Sequence, residues 1–250
     1  MTFAAIVPLA AAKPGAWISI KTNPQLWSRV SRILESELAP DDATKIAPHT
    51  AAYRDKHVRR VAGDDVVLAV IGIRESARHP ARSEITVAYS AELSSGRKEL
   101  LGKYVLWHFV KWAHFDSDSA DAVFSYQSCD ECEAERFVAS FAYDARSRAW
   151  KLRQWPEDGT RIVVGVDPEP DADEYQRCVY GVADYTGDSR DDVARWCRTR
   201  NAKTQRTTSE ALTIYSVSSA GSRKEVMTGE KAETVRRQLC RQTPTASACK

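Results

Sequence analysis

The sequence predicts an α+β fold, mainly antiparallel β-sheet, with one helix near each end of the chain. Three observations lead there. Apolar residues recur at helical spacing in two stretches, one towards each terminus. The span between them is made of short β-branched or alternating runs separated by turn residues. No unit of about 20–50 residues repeats, so neither a solenoid nor a complete propeller is indicated.

The first helix is expected over residues 24–38. Leu26, Val30, Ile33, Leu34 and Leu38 share a face, Asn23 and Pro24 supply a start, and Pro40 forbids continuation. Residues 41–57 read as irregular and connecting. The chain thus divides into a helical and irregular segment, 1–57, and a β-rich body, 58–250, within one compact unit. Residues 66–73 are a β-branched apolar run, and residues 84–93 alternate around Ile85, Val87 and Tyr89 before a turn at Ser94, Ser95 and Gly96. Residues 103–115 are apolar on both faces, as a central, buried strand would be. Acidic residues open a short helix expected at 129–138, and residues 137–155 read as a hairpin turning at 144–148. Strands follow at 162–166, 179–183, 193–197 and 212–217, with a closing helix at 230–239. Prolines and acids at 168–173 form a loop between two subdomains.

Composition narrows the function classes. With 43% hydrophobic residues and seven tryptophans, the 250-residue chain buries a substantial core and is not a disordered tail. Its 36 basic and 34 acidic residues leave a charge of +2, which argues against a dedicated nucleic-acid binder. No run of apolar residues is long enough for a transmembrane helix. The first twelve residues are apolar and small without a basic start, and read equally as the remnant of a secretory leader and as a buried strand.

The sharpest chemical signal is the acidic segment 184–193. Calcium takes about six to eight oxygen ligands, which a tight loop supplies from alternate positions. Here those positions are Asp184, Thr186, Asp188 and Asp192, with Arg190 offering its backbone carbonyl. The segment resembles the D-x-N-G-D-G-x-x-D-L loop of FG-GAP/VCBS-type repeats, matching it at Asp184, Gly187, Asp188 and Asp192. Thr186 stands where that pattern has asparagine, Ser189 where it has glycine, and Val193 where it has leucine. A left-handed conformation at Ser189 costs about 1 kcal/mol relative to glycine. The resemblance implies a Ca²⁺ loop, the alternative being a solvated acidic turn joining two strands without metal, and its single occurrence implies no propeller.

The six cysteines extend the reading. A hairpin centred near residue 188 places Cys178 opposite Cys197, Tyr180 opposite Arg195 and Val182 opposite Val193. A disulfide there would staple the hairpin, a contribution of about 3 kcal/mol in the chain-entropy model. Cys240 and Cys249 are expected to tie the tail to the closing helix. Cys129 and Cys132 form a C-x-x-C whose intervening acids oppose a reactive thiolate, favouring a local disulfide over exchange chemistry. Zinc is disfavoured because no second close Cys or His pair accompanies it. His108 and His114 share a strand face, with Asp116 and Asp118 beyond, and read as core histidines too far apart to share a ligand. Together these features predict a periplasmic or secreted, calcium-stabilised, non-enzymatic module that binds a protein or glycan. The rival readings are an exported hydrolase using His108 or His114 with a carboxylate, and a C-x-x-C oxidoreductase.

Overall fold

The computed structural model describes residues 18–19, 23–34, 45–46, 51–74, 85–116, 119–127, 135–156, 159–166, 173–218, 221–244 and 246–249. They form a mainly antiparallel β-structure with three helices, in two sheets. The larger sheet holds β1 (Ile18–Ser19), β2 (Lys45–Ile46), β3 (Ala51–Tyr53), β4 (Val66–Arg74), β5 (Ile85–Glu92), β6 (Arg97–Ala113), β7 (Asp121–Gln127), β8 (Glu135–Asp144), β9 (Ala149–Leu152) and β10 (Ile162–Val166). Its main path runs β1-β3-β4-β5-β6-β7-β8-β10, with β2 on β4 and β9 on β8. The smaller sheet is the meander β11 (Glu174–Ala183), β12 (Asp192–Asn201), β13 (Thr207–Ser218) and β14 (Gly221–Met227). Helices α1 (Pro24–Ile33), α2 (Lys56–Ala62) and α3 (Gly229–Gln242) complete the chain, with a short 3₁₀ turn at Ser247–Cys249.

Helix α1 starts where expected. Asn23 Oδ1 accepts from Leu26 N at 2.9 Å, and Pro24 occupies the first turn. Leu26, Val30 and Leu34 are buried against Ala69, Ile71, Val87 and Tyr89 on one face of the large sheet. The expected continuation over 35–38 lies outside the described residues.

The region read as irregular holds more order than its sequence announced. β3 lies within 41–57 and pairs with β4, so the large sheet crosses residue 57. Helix α2 follows at once, although strands were expected from residue 58. Asp55 Oδ1 caps it by accepting from Val58 N at 2.8 Å, and Gly63 closes it with a positive φ of 64°.

Residues 135–138, expected in a helix, belong instead to strand β8. Phe137, Ala139, Phe141 and Tyr143 alternate into a core with Tyr53, Tyr104, Phe124, Tyr126 and Trp150, so period two wins over local acidity. The sheet curls until β9 rests against β5, where Trp150 N donates to the buried Ser90 Oγ at 2.8 Å.

The strand expected to be central and buried is central but buried only in part, at Tyr104 and Ala113, with Phe115 just beyond it. β6 lies between β5 and β7, but Val105, Phe109, Val110 and Trp112 are half-exposed, and His108 and His114 are exposed. Register shifts between Val105 and His108 and between Phe109 and Lys111 break its alternation, so neither histidine enters the core.

The two sheets meet through Phe115, Trp155, Ile162 and Val164 of the larger and Val182, Val193, Tyr215 and Val217 of the smaller. On the far side, Val235 and Leu239 of α3 cover Val179, Trp196, Leu212 and Ile214. Gly181 lets the helix approach: a Cβ there would stand 2.3 Å from Tyr185 Oη and 2.7 Å from Leu239 Cδ2. None of the described helices is long and apolar enough to cross a membrane.

Candidate functional site

The acidic loop sits where the sequence placed it, at the end of the β11–β12 hairpin. The register pairs Cys178 with Cys197, Tyr180 with Arg195 and Val182 with Val193. The staple is present, with Cα atoms 4.0 Å apart, and a second disulfide joins Cys240 to Cys249. Ser189 adopts the expected left-handed conformation, φ 68°, two residues after Gly187 at φ 84°.

The loop carboxylates turn towards the loop's own backbone. Asp184 accepts from Gly187 N at 2.6 Å and from Ser189 N at 2.9 Å, and Asp188 accepts from Arg190 N at 3.0 Å. Asp192 Oδ2 accepts from Tyr185 N and Thr186 N, both at 2.9 Å. Arg190 reaches out of the loop, donating to Val217 O at 3.2 Å. Among the described residues, no group of three or more His, Cys, Asp or Glu side chains is arranged to hold a metal ion.

Asp192 differs from the other two. It is 1% exposed, and its Oδ1 is buried without a hydrogen-bond partner. Burial raises its pKa, the amides of Tyr185 and Thr186 and the Thr186 hydroxyl oppose the shift, and the nearby Asp188 adds to it. Tyr185, buried beside it, is pushed up to about 12, chiefly by burial. The donor set therefore has the hard-oxygen chemistry of calcium, and one buried carboxylate oxygen in it is unsatisfied.

No family model, curated protein or solved structure matches the chain. Its chemistry has to be read from its own residues.

Asp191, which the sequence reading passed over, joins the two sheets. Its Oδ1 accepts from Lys111 Nζ at 2.8 Å and its Oδ2 from His114 N at 2.7 Å, while its own N donates to His114 O at 2.8 Å. His114 thus meets a carboxylate through its backbone, and among the described residues no imidazole–carboxylate pair is formed there. Asp116, read as a partner of these histidines, instead accepts from Arg153 Nη2 at 2.8 Å. Cys129, Cys132 and Asp118 lie outside the described residues.

A second ionic cluster was not anticipated. Arg153 grips the fully buried Asp121 through Nε at 2.5 Å and Nη2 at 2.9 Å, and lies over the Phe115 ring. The mutual attraction holds the guanidinium charged, but burial, the largest influence on Asp121, pushes that carboxyl up. Nearby, Asp55 Oδ2 accepts from Ala120 N at 2.8 Å while Oδ1 caps α2. These partners are 32 to 65 residues apart in the chain, and no local motif announces them.

Proposed function

We propose that this chain is an exported, non-enzymatic binding module in which the small sheet presents a protein or glycan site and calcium stabilises the loop beneath it. One observation carries the reading: a covalently stapled hairpin ends in a buried carboxylate whose Oδ1 has no partner. Two disulfides favour an oxidising compartment, periplasmic or extracellular, over a reducing one. A stapled sheet also loses little freedom on binding, which suits recognition. Asp184, Asp188, Asp192, Thr186 and the Arg190 carbonyl would hold the cation. It would neutralise the carboxylates and satisfy Asp192.

Melting the oxidised protein in calcium and in chelator tests the loop. At 100 times the dissociation constant a folded-state ligand adds about 2.7 kcal/mol, which raises the melting temperature by roughly 5–10 °C. Magnesium should act more weakly, and Asp188→Ala should abolish the shift without unfolding the protein. Identical curves in calcium and chelator, with no heat in titration, would remove the metal. Binding is tested on an array of neutral and acidic glycans with the same protein. Selective retention supports the module, whereas turnover of ester, glycoside or phosphate substrates by the pure protein would replace it with the hydrolase reading.

A further inference from the structure

The binding-module reading leaves open which face recognises what, and a second feature of the small sheet addresses that. We propose that Arg177, Arg198 and Arg200, with Arg236 beside them, form an oxyanion site that takes the sulfate or phosphate groups of an acidic glycan.

Strand alternation puts Tyr175, Arg177 and Val179 of β11 on the same face as Trp196, Arg198 and Arg200 of β12. Val179 and Trp196 are buried under α3, but Tyr175, Arg177, Arg198 and Arg200 are half-exposed beyond them. Arg177 lies directly opposite Arg198 in the register, an arrangement of like charges that opposes pairing.

The available carboxylates do not neutralise this face. Glu210 accepts from Arg198 at 3.1 Å and from Arg236 at 2.7 Å, and Glu233 serves Arg236 and Arg237. Neither Arg177 nor Arg200 has a carboxylate partner among the described residues. Arg177 lies over the Tyr175 ring, 5.0 Å from its centroid, and Arg200 Nε is buried without a hydrogen-bond partner.

The remaining guanidiniums are held in place. Arg198 and Arg236 both pack on Trp196, at 4.8 and 5.2 Å from the ring centroid. Planar guanidinium forks fixed in this way are suited to a tetrahedral oxyanion, whose several oxygens accept from more than one arginine. Beside them opens a groove of about 240 Å³ whose apolar wall is Trp196, Leu212, Met227 and Ala232, with space for the apolar face of a sugar ring. Its polar wall is Arg236 with Glu210 and Glu233, the two carboxylates already engaged by Arg198, Arg236 and Arg237. A glycan is the source favoured over nucleic acid because both disulfides favour an oxidising compartment.

The test uses the oxidised full chain in low salt and isothermal titration with a heparin octasaccharide, its desulfated counterpart, sodium sulfate and a single-stranded DNA oligonucleotide. The sulfated glycan should bind and the desulfated one should not. Arg177→Gln and Arg200→Gln should each weaken binding about tenfold, the scale of one charge-assisted contact. Arg200→Lys should also weaken it, because charge is kept while the fork is lost. Arg223→Gln, an equal charge change beside Glu225 on β14, should leave it unchanged. Melting of Arg177→Gln should occur at or above the wild-type temperature, separating lost binding from lost fold.

Weakening by Arg223→Gln as large as by Arg177→Gln would reduce the effect to net charge and overturn the site. DNA bound more tightly than the octasaccharide, or sulfate bound as tightly, would overturn the glycan assignment. Binding of the desulfated octasaccharide that neither Arg177→Gln nor Arg200→Gln changes would overturn the oxyanion site and leave the module reading intact.

Discussion

Replacing Arg153 by methionine removes the only cation that bonds Asp121 in the described structure and leaves a fully buried carboxylate facing Asp116. Breaking one side of a buried pair costs about 3–5 kcal/mol, because the remaining charge is neither hydrated nor matched. For a chain of this length that is a fall of roughly 6–20 °C in melting temperature. The loss should depend on pH in a defined direction. Burial already pushes the Asp121 carboxyl up, and without Arg153 nothing of opposite charge restrains it. A carboxyl whose folded pKa exceeds its unfolded value binds protons more tightly when folded. Stability therefore falls as pH rises from the unfolded value, about 3.9, through the raised folded one. The difference between variant and wild type should be largest at pH 8 and smaller near pH 4.5. Adding Asp121→Asn to Arg153→Met should recover much of the loss by removing the stranded charge. Urea denaturation of the four proteins of this cycle at both pH values measures each quantity. A single-variant loss under about 1 kcal/mol, or one that does not shrink towards acid, would refute the reasoning.

Two further outcomes follow from the small sheet. Cys178→Ser with Cys197→Ser should cost about 3 kcal/mol, read as a fall of roughly 6–12 °C by calorimetry. An unchanged melting temperature would mean that hairpin pairing alone already limits the unfolded chain. Gly181→Ala should cost about 1–3 kcal/mol by overpacking, since its Cβ meets Tyr185 Oη, Leu239 Cδ2 and Gln242 Oε1 at 2.3 to 2.9 Å. Tyr185→Phe should relieve part of that cost, and full tolerance of alanine would show that α3 shifts outward freely.

The register of the β11–β12 hairpin was legible to the residue, though its strands run further from the turn than the expected 179–183 and 193–197, because three constraints agree there. The turn fixes the centre, alternation fixes the faces, and a directly opposed cysteine pair fixes the register. Helix α2 was missed although Asp55 and Gly63 bracket it, because three β-rich runs nearby outweighed one short capped segment. Strand β14 went unread for a different reason. Its Ser222, Arg223, Lys224 and Glu225 carry no apolar alternation, as befits an edge strand guarded by charge. β6 misled in the opposite sense, since apolar residues on both faces, interrupted by Lys103 and Lys111, do not by themselves fix what is buried. The bulges that decide what becomes buried depend on pairing with β7, which sequence alone does not display.

The acidic loop shows why spacing identifies candidate oxygens better than it identifies their partners. A calcium loop and a self-capped turn both need carboxylates where a tight backbone exposes its amides, so the same aspartates serve either. What separates the residues is where the hairpin turns them. Asp191 and Asp192 are neighbours at the start of a strand, where successive side chains point to opposite faces. One consequently reaches Lys111 on β6 and His114 just beyond its end, while the other turns under the loop to Tyr185 and Thr186. Asp191 thereby anchors the loop to the large sheet, and Asp192 is buried with one oxygen unmatched. A cation bound at Asp192 would act on a loop already clamped at the adjacent residue. Its stabilisation would then extend across the contact between the sheets as well as along the hairpin.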